Sequence, residues 1–537
     1  MYDCIIIGAG HNGLVCAAYL AEAGKRVLVL ERRELVGGAC VTENLWPGFQ
    51  VSTASYVVSL LLPEIVRDLD LPRHGYKVLP RNPSSFTPLE DGRYLLLGPD
   101  RESNRREISK FSARDAERYP AYEALLERVA ECIEPVLMEV PSDLWPLPQS
   151  WRKRTWSETF RAGRQGLKLH KALAKLGDKI PEAMEILTGA ARPILERWFE
   201  SKVLIGTLAT DAIIGTFQPI SAPGTAYVLL HHVMGEAGGA RGVWGYVQGG
   251  MGKLSEAIAS SARARGVEIR LNSPVEQILT AADQTTGVRL VGGETIHARK
   301  VASCVDAHLT FEKMLPLGIL PKSFQEAVSR IDYSSASMKI NLAVSELPNF
   351  TALPGNREPG PQHRGTIHIG CEPDYLERAY DDAKYGRPSE RPIVEMTIPS
   401  AVDSTIAPPG CHILSLFVQY APYKLAEGSW DDVRESFADR CIAEIARYAP
   451  NVPASVLHRQ ILTPVDLERI YGLTGGNIFQ GAMPLHQLFN MRPVPGWTDH
   501  RTPIHGLYLC GSAAHPGGGV MGAAGRNAAT EILRDVG

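Results

Sequence analysis

The pattern of apolar and polar residues at the start of the chain predicts a strand, a helix and a second strand, in that order. Cys4–Ile7 is a short apolar run that predicts a buried strand. Leu14–Ala23, rich in alanine and leucine and closed by Gly24, predicts a helix. Lys25–Leu30 predicts a second strand that leads directly into Glu31. This order is typical of a βαβ unit, so we expect an α/β fold with a doubly wound parallel sheet.

Later segments extend this pattern. Further strands are predicted at Gly266–Leu271, His297–Cys304 and Gly506–Gly511. Helices are predicted to begin in Gly249–Gly252 and at Val520. Polar stretches with Gly and Pro or dense acidic residues predict loops or insertions at Asn356–Arg364 and Glu372–Lys384.

A glycine motif fills the first predicted turn. Gly8, Gly10 and Gly13 have G-x-G-x-x-G spacing, and Glu31 lies about 20 residues further on, as in dinucleotide-binding folds. The first glycine allows a tight turn, the second lets the backbone approach a pyrophosphate, and the third lets helix and strand pack closely. The alternative is a glycine-rich turn without a ligand. No acid-terminated strand follows Gly249–Gly252 at the right distance, so we expect no separate nicotinamide domain.

Composition excludes several classes of protein. The chain has 537 residues, enough for three or four domains or for two large interleaved ones. With 44% hydrophobic and 21% charged residues, it is neither largely disordered nor a coiled coil. The 56 basic and 59 acidic residues give a net charge of −3 and no electrostatic reason to bind nucleic acid. The nine cysteines include no C-x-x-C pair, so we expect free thiols in a reducing compartment, and no motif indicates a metal site.

One stretch suggests a surface for membranes. No uncharged apolar run approaches a membrane span and no targeting segment is evident, so we expect a cytoplasmic protein, soluble or membrane-associated. Trp151–Ile180, however, carries nine Lys or Arg residues among apolar residues at near-helical spacing. Such a basic amphipathic helix is typical of membrane-surface contact. The alternative is a helical cap with a solvated basic face.

The longest motifs resemble one family. They are Ile7–Leu14, Trp244–Gly252 and Leu507–Gly522, and Gly37 and Gly38 add a glycine pair shortly after the acid. On these residues the chain resembles the phytoene-desaturase-like FAD oxidoreductases over nearly its full length. It is similar to their pyridine nucleotide-disulfide oxidoreductase domain-containing branch and to the flavin-type β-carotene ketolases. Disulfide chemistry is not expected, because the redox cysteine pair is absent.

The resemblance implies an FAD-binding, Rossmann-like domain assembled from three segments. These are 1–80, 241–310 and 490–537, while 81–240 and 311–489 form a substrate domain of mixed sheet with a helical cap. The cofactor residues that it implies are Gly8, Gly10, Gly13, Glu31, Arg32, Gly37, Gly38, Ala39, Val275, Asp306, Gly511, Ser512, Gly518, Gly519, Val520 and Met521. Asp306 has an alternative role as a helix N-cap. Many FAD proteins have Asp after the glycine at the position where this chain has Ser512.

The implied activity is hydride removal or addition at carbon of a largely apolar substrate, with electrons passed to oxygen, a quinone or a protein partner. Lys339 resembles the strand lysine of amine oxidases that holds a water at the flavin, which makes a flavin amine oxidase one alternative; a solvent-facing lysine is the other interpretation of this residue. His515 could donate a proton near the flavin or order its own turn. His231 and His232 could line a substrate cavity or lie satisfied in a core. A non-enzymatic lipid- or partner-binding module of the Rab GDP-dissociation-inhibitor type is the alternative from another class. The sequence assigns no oligomeric state.

Overall fold

The structure is a computed structural model that describes residues 1–141, 156–237, 240–241 and 244–535. In chain order the strands are β1 (Tyr2–Ile7), β2 (Val27–Leu30), β3 (Glu43–Trp46), β4 (Phe49–Val51), β5 (Val78–Pro80), β6 (Ser85–Pro88), β7 (Tyr94–Leu97), β8 (Glu236–Ala237), β9 (Ala240–Arg241), β10 (Gly245–Val247), β11 (Glu268–Arg270), β12 (Val275–Ala281), β13 (Gln284–Leu290), β14 (Thr295–Ser303), β15 (Ser337–Val344), β16 (Thr366–Ile369), β17 (Ile393–Thr397), β18 (His412–Gln419), β19 (Val456–Leu462) and β20 (Leu507–Leu509).

The helices, in the same order, are α1 (His11–Glu22), α2 (Pro63–Asp68), α3 (Arg101–Ser109), α4 (Ala113–Leu137), α5 (Trp156–Ala174), α6 (Ile180–Thr188), α7 (Ala191–Trp198), α8 (Lys202–Ala209), α9 (Thr225–Val233), α10 (Gly252–Ala264), α11 (Lys322–Ser329), α12 (Pro373–Lys384), α13 (Trp430–Ala446), α14 (Val452–Ser455), α15 (Pro464–Tyr471) and α16 (Ala523–Arg534).

The first sheet has the strand order β11-β2-β1-β14-β13-β12, with β20 paired to β14. Strands β11, β2, β1, β14 and β20 run parallel, and β12, β13 and the start of β14 form an antiparallel meander. In β1, Ile7 pairs with Leu30 on one side and Ser303 on the other. The carboxyl ends of these three strands therefore meet at one edge. The predicted α/β fold class is confirmed.

Burial of β1 on both faces explains its apolar sequence. Cys4 and Ile6 pack in a core shared with α1, α10 and α16, whereas Ile5 and Ile7 face a second core on the other side of the sheet. Side chains of a strand alternate between its faces, so a strand covered on both sides needs a continuous apolar run. The helix after it begins at His11, inside the glycine motif and one turn earlier than predicted.

The second sheet has the order β19-β15-β18-β17-β16-β6-β7 and is antiparallel apart from the β6–β16 pair. One face is apolar and packs on α13, with Ile340 and Leu416 meeting Phe437. The other face carries polar side chains, among them Lys339. All residues of β15 are buried, so the interpretation of Lys339 as a solvent-facing lysine is wrong: the polar face is covered by other parts of the molecule.

Two element predictions need correction. The polar stretch Glu372–Lys384 contains α12, whose Leu376, Ala379 and Ala383 are buried at helical spacing despite the charged residues between them. The C-terminal helix begins at Ala523 and not at Val520, because Gly522 precedes it with a left-handed φ of 74°.

The basic stretch is described only in part. Trp151–Thr155 lie outside the described residues, and the rest includes α5 and the start of α6. Among the helices that the structure describes, none is long and apolar enough to cross a membrane.

Candidate functional site

The glycine motif and the later glycine pair pack against each other at the edge of the first sheet. The Gly37 N–H donates to the Ala9 carbonyl at 2.8 Å. A Cβ on Gly13 would lie 2.4 Å from the Gly8 carbonyl oxygen, and one on Gly38 would lie 3.3 Å from Gly10 Cα. Side chains would therefore fill this cradle, which explains why glycine is needed at these positions.

Glu31 is buried at the end of β2, next to this cradle. Its carboxylate accepts the Ala9 N–H at 2.8 Å and the Arg33 N–H at 2.9 Å. A carboxylate has about four lone-pair positions, so capacity for ribose hydroxyls remains.

Arg32, by contrast, is exposed and donates to the Ile470 carbonyl at 2.6 Å. It is the neighbouring Arg33 that bonds the Gly38 carbonyl, at 3.4 Å. Contact between Arg32 and a cofactor stays a prediction.

The middle segment meets the cradle through the turns that follow β11 and β14. The Ser273 N–H donates to the Glu31 carbonyl at 2.8 Å, which brings the start of β12 with Val275 beside the acid. Asp306 accepts the Leu309 N–H at 2.9 Å and the Thr474 N–H at 3.2 Å. These bonds give Asp306 the capping role that was its alternative, and burial raises the pKa of its carboxyl. Cofactor contact by Val275 and Asp306 stays a prediction.

The C-terminal segment is held against the same edge by a buried arginine that the sequence did not single out. Arg492 is 1% exposed and donates to the Ser512 carbonyl at 2.8 and 3.1 Å. Its other hydrogen bonds go to the carbonyls of Phe479, Gly481, Ala482 and Gln487. Burial lowers the pKa of the guanidinium to about 10.

The glycines of the C-terminal segment also lie where side chains would clash. A Cβ on Gly511 would lie 2.3 Å from the Cys304 carbonyl oxygen, and one on Gly518 would lie 2.0 Å from the Phe479 ring. Gly519 and Val520 line a cavity beside the cradle, whereas Met521 is buried in the core of the first sheet.

Two polar atoms at the start of α1 point to a polar ligand. His11 Nε2 and Asn12 Oδ1 are buried and have no hydrogen-bond partner among the described residues. The helix also lacks a side-chain N-cap, so its first N–H groups remain available for an anion. Burial lowers the pKa of His11 to about 4, which keeps the ring neutral. Together with the glycine cradle and Glu31, these atoms fit the diphosphate and ribose of FAD.

A cavity of about 520 Å³ connects the two sheets. On the side of the first sheet it is lined by Ala39, Ser512, Gly519 and Val520. On the side of the second sheet a row of paired residues lines it, namely His368, Glu395, Phe417 and Lys339, which lie opposite one another on β16, β17, β18 and β15. With about 4.8 Å between strands, the row is about 14 Å long.

Lys339 stands at one end of this row and is 3% exposed. Its amine donates to Asn341 Oδ1 at 2.7 Å and to the Ser415 hydroxyl, and it lies 4.9 Å from the centre of the Tyr56 ring. Burial holds the pKa of Lys339 well below its usual range. An amine with a lowered pKa can exchange a proton or bind a water at neutral pH.

At the other end of the row lie polar residues that belong to no sequence motif. Arg81, Asp211, Thr366, His368 and Glu395 all line the cavity there. Burial raises the pKa of Asp211 to about 7 and that of Glu395 to about 8. Thr366 and His368 share β16, but the other three come from separate parts of the chain, so no local spacing in the sequence could have connected the group.

The histidine predictions have different outcomes. His231 and His232 both line the cavity, and each also has a backbone carbonyl within hydrogen-bond distance of one ring nitrogen. Burial lowers their pKa values to about 3 and about 4. His515 is buried but does not belong to the described lining of the cavity, so its role stays a prediction. In the described parts of the chain, no cluster of three His, Cys, Asp or Glu residues could hold a metal ion.

Comparison with known proteins identifies the family of the chain. The family model described as flavin-containing amine oxidoreductase matches residues 13–533 of this chain. A rat protein named pyridine nucleotide-disulfide oxidoreductase domain-containing protein 2 is 49% identical over 100% of this chain and 94% of its own length. The lycopene-forming phytoene desaturase of Pseudescherichia vulneris is 25% identical over 99% of each chain. These matches confirm the resemblance predicted from the motifs.

Among solved structures, wild-type putrescine oxidase bound to putrescine superposes with a TM-score of 0.60. The match covers 100% of this chain and 99% of the oxidase, at 16% identity. At this identity the likeness concerns the fold alone.

Proposed function

The chain belongs to the flavin-containing amine oxidoreductase family, and on that premise we propose that it removes hydride from a carbon of a largely apolar substrate. It is an FAD-dependent oxidoreductase, so the prediction of an enzyme holds against the alternative of a non-enzymatic binding module. The electrons pass to oxygen, a quinone or a protein partner, because the sequence contains one dinucleotide fingerprint and no second one for a nicotinamide.

The observation that carries the proposal is the wall of the cavity. Apolar and aromatic side chains form much of it, including Tyr56, Leu60, Leu229, Phe417 and Ile478. They belong to the same cavity lining as residues of the segments predicted to bind FAD and polar residues of the second sheet. Such a wall excludes water and binds an apolar molecule by burying its surface.

The residues of the cradle have distinct tasks. Glu31 and the glycine segments would hold the ribose and diphosphate of FAD, and His11 and Asn12 offer it buried polar atoms. FAD, when bound, supplies the acceptor for the hydride. Lys339, whose pKa burial holds well below its usual range, holds a water or takes up a proton at its amine, while Tyr56 and Phe417 keep bulk water away.

A second candidate is the oxidation of an amine. The buried position of Lys339 beside Tyr56 favours it, because a buried lysine with a lowered pKa can order a water next to the reacting carbon. The two candidates differ in the substrate that donates electrons.

The test is anaerobic reduction of the FAD-loaded protein, followed by loss of its visible absorbance. We expect an apolar alkene of the carotenoid or isoprenoid class to reduce the flavin and a plain alkylamine not to do so. Reduction by the amine alone would replace the proposal by the second candidate. Lys339→Met should slow reduction at least about tenfold without lowering flavin content, whereas the exposed Lys322→Met should have no effect.

We also propose that α5 contacts a membrane surface. Trp156, Phe160 and Leu167 are 93%, 72% and 54% exposed, and their spacing places them on one face of the helix. The exposed Arg164 and Lys171 flank this face, which suits anionic lipid headgroups.

Co-sedimentation with vesicles of anionic phospholipid tests this contact. Trp156→Ser with Phe160→Ser should strongly reduce binding, whereas Leu317→Ser, at a side chain 91% exposed elsewhere, should leave it unchanged. Equal binding by all three proteins, or none by the wild type, would contradict the contact.

A further inference from the structure

Arg81 is a buried cation at the end of the cavity where β16 lies. It is 4% exposed, its Nε donates to the Trp244 carbonyl at 3.2 Å, and one Nη donates to the Thr366 hydroxyl at 2.7 Å. Both acceptors are neutral. In the part of the chain that the structure describes, no carboxylate lies within ion-pair distance of this guanidinium.

A buried charge without an adjacent counter-ion is costly, and proteins normally pair it. Arg492, the other deeply buried arginine of the site, satisfies its donors on several backbone carbonyls. Arg81 instead lines an open cavity, and a guanidinium has five N–H groups, of which two serve these neutral acceptors. Its guanidinium carbon also lies 5.7 Å from the centre of the Tyr246 ring. As a residue of the cavity lining, Arg81 can offer a ligand the N–H groups not used in these contacts.

The neighbouring acids compensate this charge only in part at neutral pH. Asp211 and Glu395 line the same end of the cavity, but burial favours their protonated forms, with pKa values of about 7 and about 8. Protonated carboxyls donate hydrogen bonds. His368, whose Nδ1 lies 3.1 Å from the Thr210 hydroxyl, is neutral because burial lowers its pKa to about 3. This end of the cavity thus combines one fixed positive charge with hydrogen-bond donors.

We infer that Arg81 and Thr366 bind a carboxylate carried by the substrate, whose apolar body extends along Phe417 and Tyr56 toward Lys339. The inference rests on the proposed function and adds the chemistry of the head group. A planar guanidinium and a carboxylate match in geometry, and a low-dielectric wall strengthens their interaction. A primary ammonium at the same position would instead meet the positive charge of Arg81.

Binding without turnover tests the inference. FAD-loaded protein is titrated with decanoate, decanol and decylamine, and the shift of the flavin absorption bands and the thermal unfolding midpoint are followed. Decanoate should bind at least about tenfold more tightly than decanol, and decylamine most weakly. Equal affinities, or tighter binding of the amine, would overturn the inference.

Variants locate the effect. Arg81→Met should remove the preference for decanoate, whereas Arg101→Met, at an exposed residue lining the same cavity, should keep it. If Arg81→Met fails to retain FAD, Arg81→Lys and Thr366→Val decide, and each should weaken decanoate binding severalfold while decanol binding is unchanged. An unaltered preference in these variants would contradict the assignment of the site.

Failure of the proposed function gives a different result. If apolar donors do not reduce the flavin but decanoate still binds through Arg81, the head-group site stands and the reaction must be reassigned. If the flavin is reduced but the three probes bind alike, the reaction stands and the head-group site is wrong.

Discussion

Single residues of the cradle decide whether FAD is retained. A Cβ on Gly13 would lie 2.4 Å from the Gly8 carbonyl oxygen, which is backbone and cannot move aside cheaply. We expect Gly13→Ala to lower the flavin content of the purified protein to below about one tenth of wild type. Absorbance after gel filtration measures it. Gly163→Ala, where an added Cβ meets nothing within 4 Å, is the matched control, and equal flavin loss in both would contradict the account.

A single buried acid should also give stability a recognisable pH dependence. The pKa of Glu395 is raised by burial to about 8, so the folded state keeps a proton that the unfolded state loses above about pH 4.3. Its contribution to stability therefore falls as pH rises from about 4.3 to about 8 and is level above that, with a slope of at most about 1.4 kcal/mol per pH unit.

Glu395→Gln removes this titration, so the variant should gain stability relative to wild type between about pH 5 and pH 8. Thermal unfolding midpoints of both proteins measure the difference. Glu358→Gln, at an exposed position, should run parallel to wild type. A constant offset between Glu395→Gln and wild type across this range would mean that the carboxyl is already ionised in the folded protein.

Gly13 and Glu395 also show what the sequence can and cannot predict. The glycines follow one strand and precede one helix, so local spacing alone identified them. Glu395 lies in an apolar strand with no motif around it, and only its pairing with His368 and Phe417 across the sheet gives it a role.

At the scale of elements, the side chain of Arg492 fixes the positions of two loop segments. Arg492 connects the carbonyls of Phe479 to Gln487 with that of Ser512, and thereby holds the C-terminal segment beside the cradle. Arg492→Met leaves several buried carbonyls without donors, and we expect a loss of at least about 3 kcal/mol in stability together with weaker FAD retention.

Arg492→Lys should not restore stability or FAD retention, because one ammonium group cannot replace a planar guanidinium that donates to several carbonyls. The thermal midpoint and the flavin content measure both variants, with Arg357→Met at an exposed position as control. Wild-type stability in Arg492→Met would show that the carbonyl network is dispensable.

Helices and strands were predictable where their apolar residues follow a regular spacing. The buried strand β1 followed from its apolar run, and the structure places it as a parallel strand of the first sheet. Helix α12 escaped prediction because charged residues separate its few buried positions. The sequence left two interpretations of Lys339 open, because the pattern of one strand does not show what covers its polar face.

At the scale of the whole molecule, the proposed function depends on the cavity between the two sheets. The cavity brings together residues as distant in sequence as Arg81, Lys339 and Val520. The family motifs predicted the cofactor because they are local, but they concern only one side of this space. The other side of the cavity, on the second sheet, is built from residues that become neighbours only through folding. The proposed head-group site at Arg81 could therefore be inferred only from the structure.

The central claim is that this is an FAD enzyme supplied with electrons by an organic substrate. The most direct measurement is the visible absorption spectrum of the purified protein, repeated under anaerobic conditions after NADH or NADPH is added. The account predicts a flavin band that neither nicotinamide bleaches and that an apolar donor does bleach. A protein without a flavin band even after incubation with FAD, or a band that NADH or NADPH bleaches at once, would contradict it.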